Sequence, residues 1–384
     1  MKLAARDCTV DEDIRRAETL PPAAFTDADF LARELDTVYR RAWLMVPEGG
    51  GDERTVLDQL GPRGARLPFQ LLGRPLFLQR GWDDDQLRCF PNTCTHAWFP
   101  LVPGPSRGPT LVCGQHGRRF DCTGRFVSQP GFGKDLPDFP RDCDHLTSLP
   151  VAEWRGFAFT SLDPAAPPLA TTLADVNESL VRMPDITDRT GAPGEIRDVA
   201  GNWKQHAWNY LDRFHIAFVH RAPGGLADAI DLSTYKTELY PDAVLQWAYA
   251  ENADDGFDPA HLPARFADPK GRRVFALWWF VFPNLALNFY PWGLSVNVYQ
   301  PIPGRPDSTR FLWYHYAMDR AKYDQRDRRW LSAQVDAEDV DALAQVSRGL
   351  RSGFAPRGRF APSEETGPHW LHRKVFQTVF GDDR

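Results

Sequence analysis

Residues 94–116 read CTHAWFPLVPGPSRGPTLVCGQH. Cys94 and His96 form a CxH pair, Cys113 and His116 a CxxH pair, and sixteen residues rich in Pro and Gly separate them. Short apolar runs flank both pairs, so each falls on a loop that can present one thiolate and one imidazole. Two Cys and two His suit a tetrahedral zinc. They equally suit a [2Fe-2S] cluster in which the imidazoles take one iron and the thiolates the other. Zinc fingers usually bring their cysteines as one close pair and their histidines as another, whereas both pairs here are mixed. Mixed pairs fit a cluster whose two irons differ in ligand type.

Working outward, Val46 to Leu162 carries short alternating runs (FQLLG, PLFLQR, TLVCG, GFAFTSL) broken by Gly, Pro and Asp, the pattern of a small antiparallel sheet domain. DPAAPPLATT follows as a Pro-rich linker. Ahead of the sheet domain, TLPPAAFTDADFLARELDTVYRRAWLMV predicts an amphipathic arm helix capped by Thr26, with Phe30, Leu31, Leu35, Val38, Tyr39 and Trp43 at helical spacing. Beyond the linker, NWKQHAWNYLDRFHIAFVH and RRWLSAQVDAEDVDALAQVSRGL read as helices. RRVFALWWFVFPNLALNFYPWGLSVNVYQPI and TRFLWYHYAM read as strands. The fold class is α+β, divided into an arm (1–45), a β-rich domain (46–165) and a second α+β domain (166–384).

The chain has 384 residues, enough for two cores, and 45 basic against 51 acidic side chains leave a charge of −6. With 42% hydrophobic and 25% charged residues it is neither disordered nor fibrous. Basic residues are interleaved with acids, as in DRAKYDQRDRRW, which argues against nucleic acid as a partner. No apolar run approaches a membrane span and MKLAARDCTVDEDIRR is too charged for a signal peptide, so a cytoplasmic location is expected. All six cysteines precede residue 144, and in a reducing compartment they read as metal ligands or buried thiols, Cys89 and Cys122 among the latter.

A second constellation lies at Asn209-Tyr210-Leu211-Asp212-Arg213-Phe214-His215-Ile216-Ala217-Phe218-Val219-His220. Asp212 and His215, three apart, share a helix face. His215 and His220 lie about 140° apart on a regular helix, so converging on one ion requires the helix to loosen or end between them. An isolated HxxxxH is also compatible with two structural histidines.

The Cys/His pairs, with the continuation HGRRFDCTGRF, resemble the Rieske domain. Ala97-Trp98, Gly114-Gln115 and Arg118 stand where that family usually has Arg-Gly, Pro-Tyr and Trp. NWKxxxxNxxDxxHxxxxH resembles the catalytic-domain signature of Rieske non-haem iron oxygenases, with Trp208 in place of an acid often found before Asn209. The resemblance extends from the arm to FPNLALNFYPWG. It implies a β-rich Rieske domain, a helix-grip catalytic domain and a homotrimer. It also implies a [2Fe-2S] cluster on Cys94, His96, Cys113 and His116, and Fe(II) on His215, His220 and a downstream carboxylate that matches Asp339. Asn209 and Asp212 take the catalytic motif positions, Asp212 meeting a cluster histidine, His116, across a subunit boundary.

Membership further implies a terminal oxygenase with O2 as co-substrate. No GxGxxG occurs in a strand-turn-helix setting, so NAD(P)H would act through a separate reductase, with or without a ferredoxin. The rival readings are an electron carrier without oxygenase activity, a zinc-binding structural protein and a metal hydrolase. The substrate would be a small aromatic compound or a methylated amine, held by Trp278, Phe282, Asn288, Tyr290 and Trp292 on the strands. The NxYPWG segment is similar to the branch that oxidises betaine-like amines.

Overall fold

The computed structural model describes residues 3–47, 55–133, 136–184, 194–221, 223, 225–325 and 328–381. Its contacts group residues 40–169 as one unit, and residues 1–39 with 170–384 as another.

The arm helix α1 runs Ala28–Glu34. Its N-cap is Asp27, not Thr26: Asp27 has the extended backbone a cap requires and accepts from Phe30 N at 2.9 Å, while Thr26 ends a preceding turn. The helix widens into a π turn at Leu35–Tyr39 and stops, so the helical spacing through Trp43 overran it; Trp43 instead opens a strand paired with Phe157–Ser161.

Unit 40–169 is built of small antiparallel sheets. One orders Leu87–Pro91, Arg74–Arg80, Ala65–Leu71 and Ser106–Arg107; a second holds Thr110–Val112, Arg119–Asp121 and Phe126–Ser128. Phe77, Phe90, Leu101, Val102, Leu111, Phe120 and Leu146 form a core that includes Cys94 and Cys113. Cys89 and Cys122 are buried free thiols.

The larger unit is organised by a seven-stranded antiparallel sheet. Its strands are β1 (Glu195–Ala200), β2 (Lys236–Leu239), β3 (Ala243–Tyr249), β4 (Val274–Val281), β5 (Leu285–Tyr290), β6 (Gly293–Ile302) and β7 (Arg305–Ala317), in the order β1-β7-β6-β5-β4-β3-β2. Every residue of β3 and β4 is buried, so both faces are covered, which is why VFALWWFV reads as an unbroken apolar run. Pro303 and Gly304, the latter at φ +76°, make the tight β6–β7 turn.

Four helices matter for the site: α2 (Trp203–Leu211), α3 (Ile216–Val219), α4 (Arg328–Leu350) and α5 (Thr366–Phe380). Asn202 caps α2 and Gln205 completes a capping box. The side chains of Lys204 and Glu34 are fully buried, with Nζ 2.8 Å from Glu34 Oε1. Nζ also donates to Asn202 Oδ1 at 2.7 Å, and Trp203 Nε1 donates to Glu34 Oε2 at 3.1 Å. Removing one partner leaves the other charge stranded, so Lys204→Met should cost the larger unit about 3–5 kcal/mol. Adding Glu34→Leu should recover most of that loss, as read by denaturant unfolding; a double variant no better than the single would show that the charge pairing is not what matters.

Candidate metal centres and their pocket

The two Cys/His loops share one construction. Cys94 N donates to Phe99 O and Trp98 N to Cys94 O, at 2.8 and 3.0 Å; Cys113 N donates to Arg118 O and Gly117 N to Cys113 O, at 2.8 and 3.1 Å. The fifth residue of each turn is left-handed, Trp98 at φ +60° and Gly117 at φ +71°. Glycine adopts this freely, whereas Trp98 is held there at a cost of roughly 1–2 kcal/mol with its side chain 83% exposed.

Both thiols are buried and lie against each other; burial, then the neighbouring Cys113, raises the Cys94 pKa. The His96 and His116 rings meet edge to face, centroids 4.8 Å apart. Two touching thiols inside and two adjoining imidazoles outside fit the donor set of a Rieske cluster. Arg118, where the family usually has Trp, is buried and ties the loops together. It donates to Gln129 Oε1 at 2.5 Å, Thr95 Oγ1 at 2.7 Å and Asp144 Oδ1 at 3.1 Å, and Gln129 in turn contacts His96 at 3.0 Å.

The second centre depends on a break in what the sequence presents as one helix over 203–220. The helix α2 stops at Leu211, Asp212 is its extended C-cap, and Asp212 Oδ1 accepts from Phe214 N at 2.7 Å. His215 then starts the single turn α3 and His220 ends it. Asp212 and His215 therefore do not share a continuous helix face. Leaving the helix at His220 resolves the 140° mismatch, and the two Nε2 atoms come within 3.1 Å.

From α4, Asp339 Oδ1 stands 3.1 Å from His220 Nε2 and 3.5 Å from His215 Nε2. The donor atoms of the three all lie within 4.8 Å of one another. Asp339 Oδ1 is closed off from solvent without a hydrogen bond, the state expected of an oxygen meant for a metal. Despite burial, His215 and His220 hold the Asp339 carboxyl well below the usual range. Burial lowers the His215 pKa, but the carboxylates of Asp212 and Asp339 outweigh it and raise the imidazole to about 9. The residues fit a 2-His-1-carboxylate iron site.

Each imidazole has a carboxylate behind it. Asp212 Oδ2 lies 3.7 Å from His215 Nδ1, and Glu338 Oε2 lies 2.7 Å from His220 Nδ1, itself fixed by Gln334 Nε2 at 2.9 Å. Sequence reasoning missed Glu338, whose adjacency in the chain to the ligand Asp339 was the available signal.

Beside these residues is a cavity of about 80 Å³, room for roughly five to eight water-sized atoms. Trp278, Asn288 and Tyr290 line it, as do Asn209 and Asp212. Trp292 does not: it stacks behind Tyr290 at 4.8 Å. Phe282 also lies elsewhere, beyond the end of β4 against Trp370, because alternation ends where the strand does. Sequence reasoning missed Tyr210, Tyr235, Tyr299, Trp313 and Asp336 as lining residues.

Two donor sets on one chain, one for an iron–sulfur centre and one for a mononuclear metal beside a cavity, define a redox enzyme. The ring-hydroxylating alpha-subunit (catalytic domain) family matches residues 176–379, and the Rieske [2Fe-2S] domain family matches residues 56–148. The carnitine monooxygenase oxygenase subunit of Acinetobacter pittii is 23% identical over 364 residues, spanning 91% of this chain and 90% of that protein. The chloroplastic choline monooxygenase of Arabidopsis thaliana is 27% identical, spanning 94% and 84%. The quaternary ammonium Rieske monooxygenase CntA superposes with a TM-score of 0.74 at 20% identity, covering 98% of this chain and 99% of that one.

The chain belongs to the ring-hydroxylating oxygenase alpha subunits. It is a terminal oxygenase: electrons from a reductase reach a Rieske cluster, and O2 is activated at a mononuclear iron to hydroxylate or demethylate a small organic substrate. No helix among the described residues is long and apolar enough to cross a membrane. Because Glu338 orients His220, Glu338→Ala should weaken iron binding roughly 10- to 100-fold and leave the cluster spectrum unchanged. Metal titration checks this, and wild-type affinity would show that the contact is incidental.

Proposed function

We propose that this oxygenase acts on a compact methylated ammonium ion. The observation that carries the reading is the wall of the cavity: Tyr210, Tyr235, Trp278, Tyr290, Tyr299 and Trp313 line it, and its described lining residues include no Lys or Arg. Tyr235 stacks on Trp278 at 5.6 Å, and Trp278 Nε1 donates to Tyr290 OH at 3.2 Å, so the rings are held in place. Aromatic faces attract a cation that has shed its water by about 2 kcal/mol or more, and a methylated nitrogen sheds water easily. The named relatives that act on carnitine and choline support the same class.

Iron held by His215, His220 and Asp339 would supply O2 activation, and a cluster held by Cys94, His96, Cys113 and His116 would supply electrons singly. The chain's own residues seat the ammonium group beside the triad and exclude bulk water. Oxygen enters a C–H bond next to nitrogen; O2, two electrons from NAD(P)H through the reductase and two protons give the hydroxylated carbon and water. For an N-methyl carbon that product releases formaldehyde.

With a surrogate reductase, a panel of methylated amines and aromatic acids should show NADH and O2 consumption only with the amines. Turnover of the aromatic acids alone would overturn the reading.

We also infer a homotrimer in which Asp212 passes the electron, hydrogen-bonding His116 of a neighbouring subunit. In support, Asp212 lines both the small cavity and a second one of about 460 Å³ whose wall His215 shares, so this carboxylate is approached from two sides. A solved relative, CntA, is described as showing inter-subunit electron transfer. Asp212→Asn should keep both metals and slow cluster reoxidation at least about 100-fold, a loss comparable with that of one preorganised polar contact in an active site. Rapid mixing with substrate and O2 would read it, and a wild-type rate would remove Asp212 from the route.

A further inference from the structure

Two acceptors in the small cavity are left open. Asp336 lies one helical turn before Asp339 on α4, so both carboxylates face the cavity. Asp336 stands outside the group of donors that converge for a metal. The residue is partly buried, but its Oδ2 atom is sealed from solvent and has no hydrogen-bond partner. Burial, then the like charge of Asp339, pushes the Asp336 carboxyl well above the usual carboxylate range, against the charge of Arg197 and a hydrogen bond with Asn297. A carboxylate sealed among aromatic rings is costly unless an opposite charge joins it.

The second open acceptor is Gln246 Oε1, also sealed and unpartnered. Its orientation is fixed by the other end of the amide, since Gln246 Nε2 donates to the Tyr210 carbonyl at 2.8 Å. The neighbouring Asn288 is already committed, its Oδ1 accepting from Tyr210 OH at 2.7 Å and its Nδ2 donating to Ser295 O at 3.3 Å. What Gln246 lacks is a donor. A hydroxyl can supply one, whereas a carboxylate cannot.

Building on the ammonium reading, we propose that Asp336 is the counter-charge for the substrate's cationic nitrogen and Gln246 the acceptor for a hydroxyl on its tail. Together they select a small amino alcohol over a zwitterionic amino acid. A carboxylate tail would meet Asp336 as a like charge and would leave Gln246 unsatisfied. The described lining residues offer it no Lys or Arg. These are specificity contacts, separate from the residues that hold iron.

The test is equilibrium binding to the iron-loaded enzyme without reductase, by calorimetry. The probes are choline, glycine betaine and 3,3-dimethylbutan-1-ol, the neutral carbon isostere of choline. Wild type should bind choline roughly 30-fold or more tighter than either of the others, the scale set by one desolvated charge contact. Asp336→Asn should lose about that factor for choline, keep its affinity for the isostere and retain full iron. Gln246→Met should narrow the gap between choline and tetramethylammonium, which has no hydroxyl.

Equal binding of choline and betaine by wild type would overturn the tail assignment without any variant being needed. An Asp336→Asn enzyme with wild-type choline preference, or one that loses its iron, would overturn the counter-charge role. If wild type binds no methylated ammonium and oxidises a neutral aromatic compound instead, the substrate class itself falls and takes this inference with it.

Discussion

The ion pair between Glu34 and Lys204 sets where everything in the larger unit can stand. It joins the arm helix to the head of α2 with no solvent to soften the requirement for a partner, and Asn202 and Trp203 complete its hydrogen bonds. Fixing the head of α2 fixes its tail, which carries Asn209, Tyr210 and the break at Asp212. That break turns two imidazoles toward one point. The sheet supplies the floor of the cavity, and α4 brings three acids to the site, Asp336 and Asp339 onto the cavity and Glu338 behind His220.

Those acids show how one helix turn can serve three purposes. Glu338 steadies His220 from behind, Asp339 faces both imidazoles, and Asp336 faces the aromatic wall. Neighbouring positions on a helix point about 100° apart, so a ligand and its supporting acid can be adjacent in sequence without competing. The aromatic wall is equally divided in labour. Trp278 and Tyr290 touch the cavity, while Trp292 stacks behind and holds Tyr290 flat.

Much of this was legible in the residues. The mixed Cys/His pairs declared their loops because ligand chemistry tolerates few spacings, and the alternating runs around them carried the pattern of a small sheet. The apolar stretch from Val274 to Ile302 marked the central strands. What failed did so where a local pattern outlives its element. Helical spacing continued to Trp43 although the arm helix ends earlier, and the run over 203–220 hid a break that only the packing of both imidazoles requires. Phe282 looked like a strand residue but lies past the strand's end. The resemblance picked out Asp339, but that Asp336 also points inward and Glu338 backs His220 depends on where α4 docks; Asp341, on the same helix, is exposed.

The order of the sheet has a consequence for how the chain reaches this structure. From β2 to β7 every strand pairs with the one made just before it, so the most apolar stretch finds a partner as soon as it leaves the ribosome. Pairings of that kind close short loops and are fast, which shortens the time that sticky strand edges are open to other chains. The first strand of the sheet, β1, must wait for the last, β7. Glu34 waits for Lys204, 170 residues further on. Lys204 precedes the meander in the chain, so that pair can close first, whereas α4, which brings Asp339 to the triad, is made only after the meander, when the aggregation-prone core is already hidden.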